Sequence, residues 1–171
     1  MAEILAAGVS GKIVIDCSTS NPVSTRALAA RIEAAGGEMA DAPLSRTPKE
    51  AWEGTLDVMA GADEALFARI EPLLACFAGK VVRVGGLGAG HTMKLVNNFL
   101  SLGYGALYAE ALAIGARGGL TPATVRDVIG GGRMDCGFFQ TFMRYVVDGD
   151  RQAHRFALRN AHKDMRYLVG L

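Results

Sequence analysis

The sequence predicts half of a doubly wound α/β sheet, entered in the middle, followed by a long helix and an all-helical part. Three observations predict it. Short apolar runs alternate with helical stretches through the first half of the chain, the order of a sheet with helices on its faces. After Gly90 the apolar spacing settles at three or four residues, a helical period. Glycine makes up 22 of 171 residues, nearly twice the usual ~7%. With five prolines and no collagen-like period, that glycine marks tight turns and close backbone approaches.

The elements follow in order. Lys12–Asp16 is a β-branched run ending in polar residues, the pattern of a buried parallel strand. Ser18-Thr19-Ser20-Asn21-Pro22 supplies capping residues and a proline suited to a first helical turn. Leu28, Ile32 and Ala35 continue at helical spacing until Gly36-Gly37. Met39–Leu44 and Leu56–Ala60 read as extended segments. Helix runs from Asp63 to Phe77, with Leu66, Ile70, Leu73 and Leu74 on one stripe, and Lys80–Val84 is a fourth strand. From His91 to Arg117 there is no proline, and Leu95, Phe99, Leu102, Ala106, Ala109 and Leu112 recur every three or four residues. Such a helix is ~40 Å long. Gly103, Gly105 and Gly115 each cost it up to ~1 kcal/mol relative to alanine, which points to another backbone packed against them. Thr121-Pro122 opens the next helix and Gly130-Gly131-Gly132 ends it; Cys136–Val147 and Asn160–Leu171 are helical again.

Composition excludes several functions. Half the residues are hydrophobic and 20% are charged, enough for a real core. Eighteen Lys and Arg against 17 Asp and Glu give no pull toward nucleic acid or an anionic membrane. The basic residues between Arg144 and Arg166 read as a solvated helix face. Cys17, Cys76 and Cys136 are scattered and odd in number, so buried reduced thiols of a cytoplasmic protein are expected rather than disulfides or a zinc site. Met1–Gly8 shows neither a basic n-region nor a long apolar h-region, so a secretory signal is not expected. The longest uncharged run, Leu95–Ala109, has 15 residues, short of the ~20 that span a membrane.

The stretch Gly85–Asn98 carries the most chemistry. A strand enters a glycine loop and then a helix, yet Gly86, Gly88 and Gly90 give GxGxG, and His91 stands where GxGxxG needs its last glycine. No acidic residue closes a second strand ~20 residues on, so this is not read as a pyrophosphate loop. The loop does present Lys94 early in the helix, with Asn98 four residues later on the same face. A partly buried lysine can exchange a proton with an alkoxide or carbonyl oxygen. The plainer alternative is a solvated helix lysine beside a packing asparagine.

The segment from Gly85 to Asn98 resembles the GxGxGxxxKxxNN motif of the β-hydroxyacid dehydrogenases. Three further stretches agree in order. Ile15–Pro22 resembles that family's VDxST…P strand end, Asp41-Ala42-Pro43-Leu44-Ser45 its DAPVSGG substrate loop, and Phe156 with Lys163-Asp164 its Phe…KD pair. The resemblance implies the second half of a Rossmann-like sheet in residues 1–90 and a helical domain in residues 91–171, beginning with the long helix. It implies an oxidoreductase using NAD or NADP on a small carboxylate substrate, and a homo-oligomer built through the helical domain. Lys94 would be the acid/base and Asn98 would hold it and the substrate. Ser45 and the residues after it, Arg46 and Thr47, would cradle the substrate carboxylate. Thr19, Phe156 and Lys163 would approach the cofactor, and Asp164 would orient its neighbours. Thr19 as a helix cap and Asp164 as a surface partner of Lys163 or Arg166 stand as alternatives.

Two departures matter. Arg46 and Thr47 replace the family's two glycines, so Arg46 either pairs with an acidic substrate or faces water. Only Met1–Gly11 precede the first strand, leaving no room for the GxGxxG unit. A partial sequence is therefore expected, incomplete at its C-terminus as well; a truncated, non-catalytic oligomerisation module is the competing reading.

Overall fold

The computed structural model describes residues 2–171. Thirteen elements run in chain order: α1 (Ala2–Ala6), β1 (Ile13–Asp16), α2 (Pro22–Ala34), β2 (Glu38–Asp41), β3 (Leu44–Ser45), α3 (Pro48–Trp52), β4 (Leu56–Gly61), α4 (Glu64–Leu74), β5 (Ala78–Gly85), α5 (Ala89–Arg117), α6 (Pro122–Ile129), α7 (Gly137–Asp148) and α8 (Leu158–Val169).

All five strands form one sheet. β1 pairs with β2 and β4 with β5 in parallel, as a doubly wound sheet requires. β4 also takes β2 and β3 along its other edge, both antiparallel. The reversal has a local cause. A parallel return needs a crossover of a dozen or more residues, usually a full helix; the 14 residues between β2 and β4 are instead spent on β3, which pairs antiparallel with β4, and on a helix α3 of only five residues. The expected single strand over 39–44 is broken at Ala42-Pro43, since proline has no N–H to give a ladder; Pro43 contributes its carbonyl, accepting from Met59 N at 3.2 Å.

Strand alternation distributes the core. Ala40 and Ala42 join Val58, Ala60 and Ala62 under Leu66, Ile70 and Leu74 of α4. Met39, one residue out of phase, packs with Val9 and with Ala29 and Ile32 of α2. The sheet is thus covered on both faces. Helix starts are set by side chains: Asn21 accepts from Val23 N ahead of Pro22, Thr47 and Glu50 form a reciprocal capping box, and Asp63 accepts from Leu66 N. α4 stops at Leu74, three residues before the expected end, with Pro72 in its last turn.

The chain divides into two compact units, one reaching to Asn97 and including His162–Leu171, the other Asn98–Ala161. Within the second, Tyr108 stacks on Phe138 and meets Phe139 edge-on and Phe142 at a tilt, with Phe139 and Met143 fully buried.

Three expectations need correction. Cys76 and Cys136 are exposed and only Cys17 is half-buried; Cys76 donates to Pro72 O, and Cys136 caps α7, uses that sequence spacing does not reveal. Among the described residues no other backbone approaches Gly103, where an added Cβ meets open space, and at Gly105 and Gly115 it would meet side chains at ordinary distances. Lastly, α5 is long and apolar enough to cross a membrane by length and composition alone, which counting uncharged residues did not register. Its beginning nevertheless lies in the first unit's interior, where His91 and Leu95 are fully buried.

Candidate active site at the glycine loop and Lys94

β5 delivers the chain into Gly85-Gly86-Leu87-Gly88 and α5 starts at Ala89. Gly88 has φ +86°, a left-handed conformation that a side chain resists. Gly90 is needed for space, since a Cβ there would meet the backbone carbonyl oxygen of Met59 and lie 2.9 Å from that of Asp41. The GxGxG pattern therefore builds a turn pressed against β2 and β4.

The turn is closed by Asp41, fully buried at the end of β2. Its Oδ1 accepts from Gly88 N and its Oδ2 from His91 N, both at 2.6 Å. The amides that a pyrophosphate would use at a helix N-terminus already hold a carboxylate. This is the physical counterpart of the failed GxGxxG spacing.

Lys94 follows on α5, half-buried. Burial pushes its ammonium below the ordinary lysine value of 10.5, and the negative charge of Asp164 partly restores it. Asp164 comes from α8 and is 1% exposed, with the Lys163 Nζ 3.3 Å from its Oδ1. Lys163 also donates to the Thr19 carbonyl at 3.2 Å and lies over the Tyr167 ring. Thr19, Lys94, Lys163 and Asp164 are thus gathered in the first unit by the end of β1, the start of α5 and one face of α8. Asn98 is buried, one turn beyond Lys94 on α5.

The remaining sequence-selected residues fall elsewhere. Ser45 ends β3 opposite Asp57. Arg46 adopts φ +84°, and its Nε lies 2.9 Å from Asp57 Oδ2. The Thr47 hydroxyl and amide are both engaged with Glu50 in the capping box. Asn21, not Thr19, caps α2. Phe156 is exposed, in the segment before α8. An open hollow of about 450 Å3 sits on the glycine loop between Arg26 and Met93, and Lys94 does not line it.

Sequence reasoning passed over Asp41 and Asp57 as individual residues. Asp41 was visible only as the first letter of a motif, and nothing local distinguishes an acid that caps a distant helix from one in a loop.

Comparison with known proteins covers both halves. Residues 1–86 match the family described as the NAD binding domain of 6-phosphogluconate dehydrogenase. Residues 88–171 match the family described as NAD-binding of NADP-dependent 3-hydroxyisobutyrate dehydrogenase. The chain is 36% identical over 163 residues to 2-(hydroxymethyl)glutarate dehydrogenase of Eubacterium barkeri, covering 95% of this chain and 54% of that protein. It is 36% identical over 149 residues to 2-hydroxy-3-oxopropionate reductase of Escherichia coli, covering 87% of this chain and 49% of that protein. The solved structure of Mycobacterium tuberculosis 3-hydroxyisobutyrate dehydrogenase with L-serine superposes with a TM-score of 0.84 at 29% identity, over 99% of this chain and 60% of that one. The chain spans about half the length of the curated relatives it matches. With both halves matched in order, the chain belongs to the β-hydroxyacid dehydrogenase family.

Proposed function

We propose that this chain carries the substrate-binding and proton-transfer part of an NAD(P)-dependent hydroxyacid dehydrogenase, with Lys94 as the acid/base. The observation that carries the reading is a half-buried amine, depressed by burial and faced by the Asp164 carboxylate. Such an amine exchanges its proton far more readily near neutral pH than an exposed lysine. The two ends of a nicotinamide dinucleotide meet different surroundings here. The Asp41-capped loop does not fit a pyrophosphate, whereas Lys94, Lys163 and Thr19 fit the reacting end, where a proton donor and polar anchors are needed. When bound, a nicotinamide cofactor supplies or accepts the hydride. In the reducing direction Lys94 gives its proton to the oxygen that becomes the hydroxyl; in the oxidising direction it takes that proton back. Asn98 holds the amine and the substrate oxygen, Asp164 keeps the ammonium oriented, and Thr19, Lys163 and Phe156 approach the cofactor. The deciding experiment is turnover by the full-length protein with Lys94 replaced.

Ser45, Arg46 and Thr47 form the substrate cradle in this reading. Thr47 contributes through the backbone it holds in place by capping α3, and Arg46 through its guanidinium, whose Nε pairs with Asp57. An arginine fork pairs well with a carboxylate, and the glutarate named in the Eubacterium barkeri relative has two. Arg46→Gly is expected to raise KM for a dicarboxylate substrate ~10-fold with kcat nearly unchanged. The fold should not lose stability, because glycine adopts φ +84° freely and the ion pair removed is a half-exposed one. An unchanged substrate profile returns Arg46 to a purely local role with Asp57.

The same reading makes the protein a cytoplasmic homo-oligomer through the helical part. Leu100, Tyr104, Leu107 and Ile114 form an exposed stripe on α5, and its three cysteines are unpaired, as in a reducing compartment.

A further inference from the structure

We propose that Asp41 is a positioning residue: its carboxylate caps α5 from the end of β2 and thereby fixes Lys94 relative to the substrate strand that begins three residues later. The inference rests on the acid/base reading of Lys94. α5 has no capping side chain of its own, because the residue before Ala89 is Gly88. A helix start needs acceptors for its first amides, and the amide three residues past the cap position is the one a capping side chain ordinarily takes. That amide is His91 N, and Asp41 takes it together with Gly88 N. A carboxylate at this end also suits the positive pole of the helix.

The slot admits this carboxylate and nothing beside it. A Cβ on Gly61 would collide with Asp41 Oδ1, and one on Gly90 would stand 2.9 Å from Oδ2. Two glycines on separate elements, β4 and α5, are thus kept bare around one side chain. The same turn is held from its other side. His91 is fully buried, with Nδ1 2.7 Å from Thr25 Oγ1 on α2. Thr25 Oγ1 also lies 3.0 Å from the Asn21 carbonyl oxygen, so the contact ties the turn to the first residues of α2. Two anchors, one on β2 and one on α2, therefore fix the turn from which Lys94 projects. From Asp41 the chain continues through Ala42 and Pro43 into β3 and Ser45, so one residue joins the strand of the substrate cradle to the helix of the proton donor.

Amide hydrogen exchange in the unmodified 171-residue chain is read first and needs no variant. The Gly88 and His91 amides are expected to exchange at least ~100-fold more slowly than in an unstructured chain; exchange at loop rates overturns the proposal. Asp41→Asn keeps the shape but offers one acceptor where two are needed. It is expected to speed exchange of both amides ~10-fold or more. It should also raise the titration midpoint of the Lys94 side chain, followed by NMR at Cε, as the loosened turn admits water. Gly61→Ala, which displaces the carboxylate without removing its charge, should shift both readings the same way. In the full-length enzyme Asp41→Asn is expected to lower kcat ~10- to 100-fold with cofactor KM unchanged. A folded Asp41→Asn chain with wild-type exchange and an unmoved Lys94 midpoint overturns the proposal. Exchange and titration do not depend on Lys94 being catalytic, so the anchor and the acid/base assignment can fail separately.

Discussion

Lys94→Ala in the full-length enzyme is expected to lower kcat/KM by ~10²- to 10⁴-fold, the usual contribution of a positioned acid or base, equivalent to ~3–5 kcal/mol of transition-state stabilisation. Thermal stability should change little, because the amine pays for its burial with a depressed affinity for its proton. The pH dependence follows from the sign of that shift. In the reducing direction the donor must be protonated, so the rate falls as pH rises through the lysine's value, which burial places below 10.5. Asp164 raises that value, so Asp164→Asn should move the falling limb to lower pH. Steady-state profiles in both directions measure this, and turnover surviving Lys94→Ala removes the residue from proton transfer.

The same substitution made twice on α5 is expected to have opposite signs. Gly90→Ala drives a methyl group into the Met59 and Asp41 carbonyl oxygens. Both belong to strands of the sheet and neither can swing aside. The expected cost is ~3 kcal/mol or more, enough to lower the yield of folded chain and to free the start of the helix. Gly103→Ala, one helix turn past Phe99, meets nothing within 4 Å. There the ordinary preference of helices for alanine applies, and the gain is up to ~1 kcal/mol. Denaturant unfolding of the dilute chain separates the two. If a second copy packs against α5 near Gly103, the added methyl group weakens association as protein concentration rises, although it stabilises the isolated chain.

Period and punctuation made most of the fold legible. Asn21-Pro22, Asp63 and Thr121-Pro122 each open a helix where a capping reading places one, and the spacing of Leu66, Ile70 and Leu74 finds the face that covers the sheet. The antiparallel return through β3 was less visible, because two residues of strand after a proline have no period. Gly103 shows the limit of composition: a glycine in a helix records that something is small, not whether anything is near. At the site, Lys94 stood out through the resemblance of Gly85–Asn98 to a family motif, since its spacing alone fits a solvated helix lysine equally well. Asp41 did not, because its partners lie on a segment far along the chain and only the folded sheet brings them together.

The cap across 47 residues of chain also bears on the order of assembly. An isolated segment beginning at Ala89 has no acceptor for its first amides and a costly nucleus to form. Docking of β2 is therefore expected to stabilise the onset of α5 by about 1 kcal/mol, and slow collapse of the strands would leave the first turn of that helix frayed. During that interval the apolar stripe of a nascent α5 has no fixed register, which makes chain synthesis and refolding the stages most exposed to misassembly.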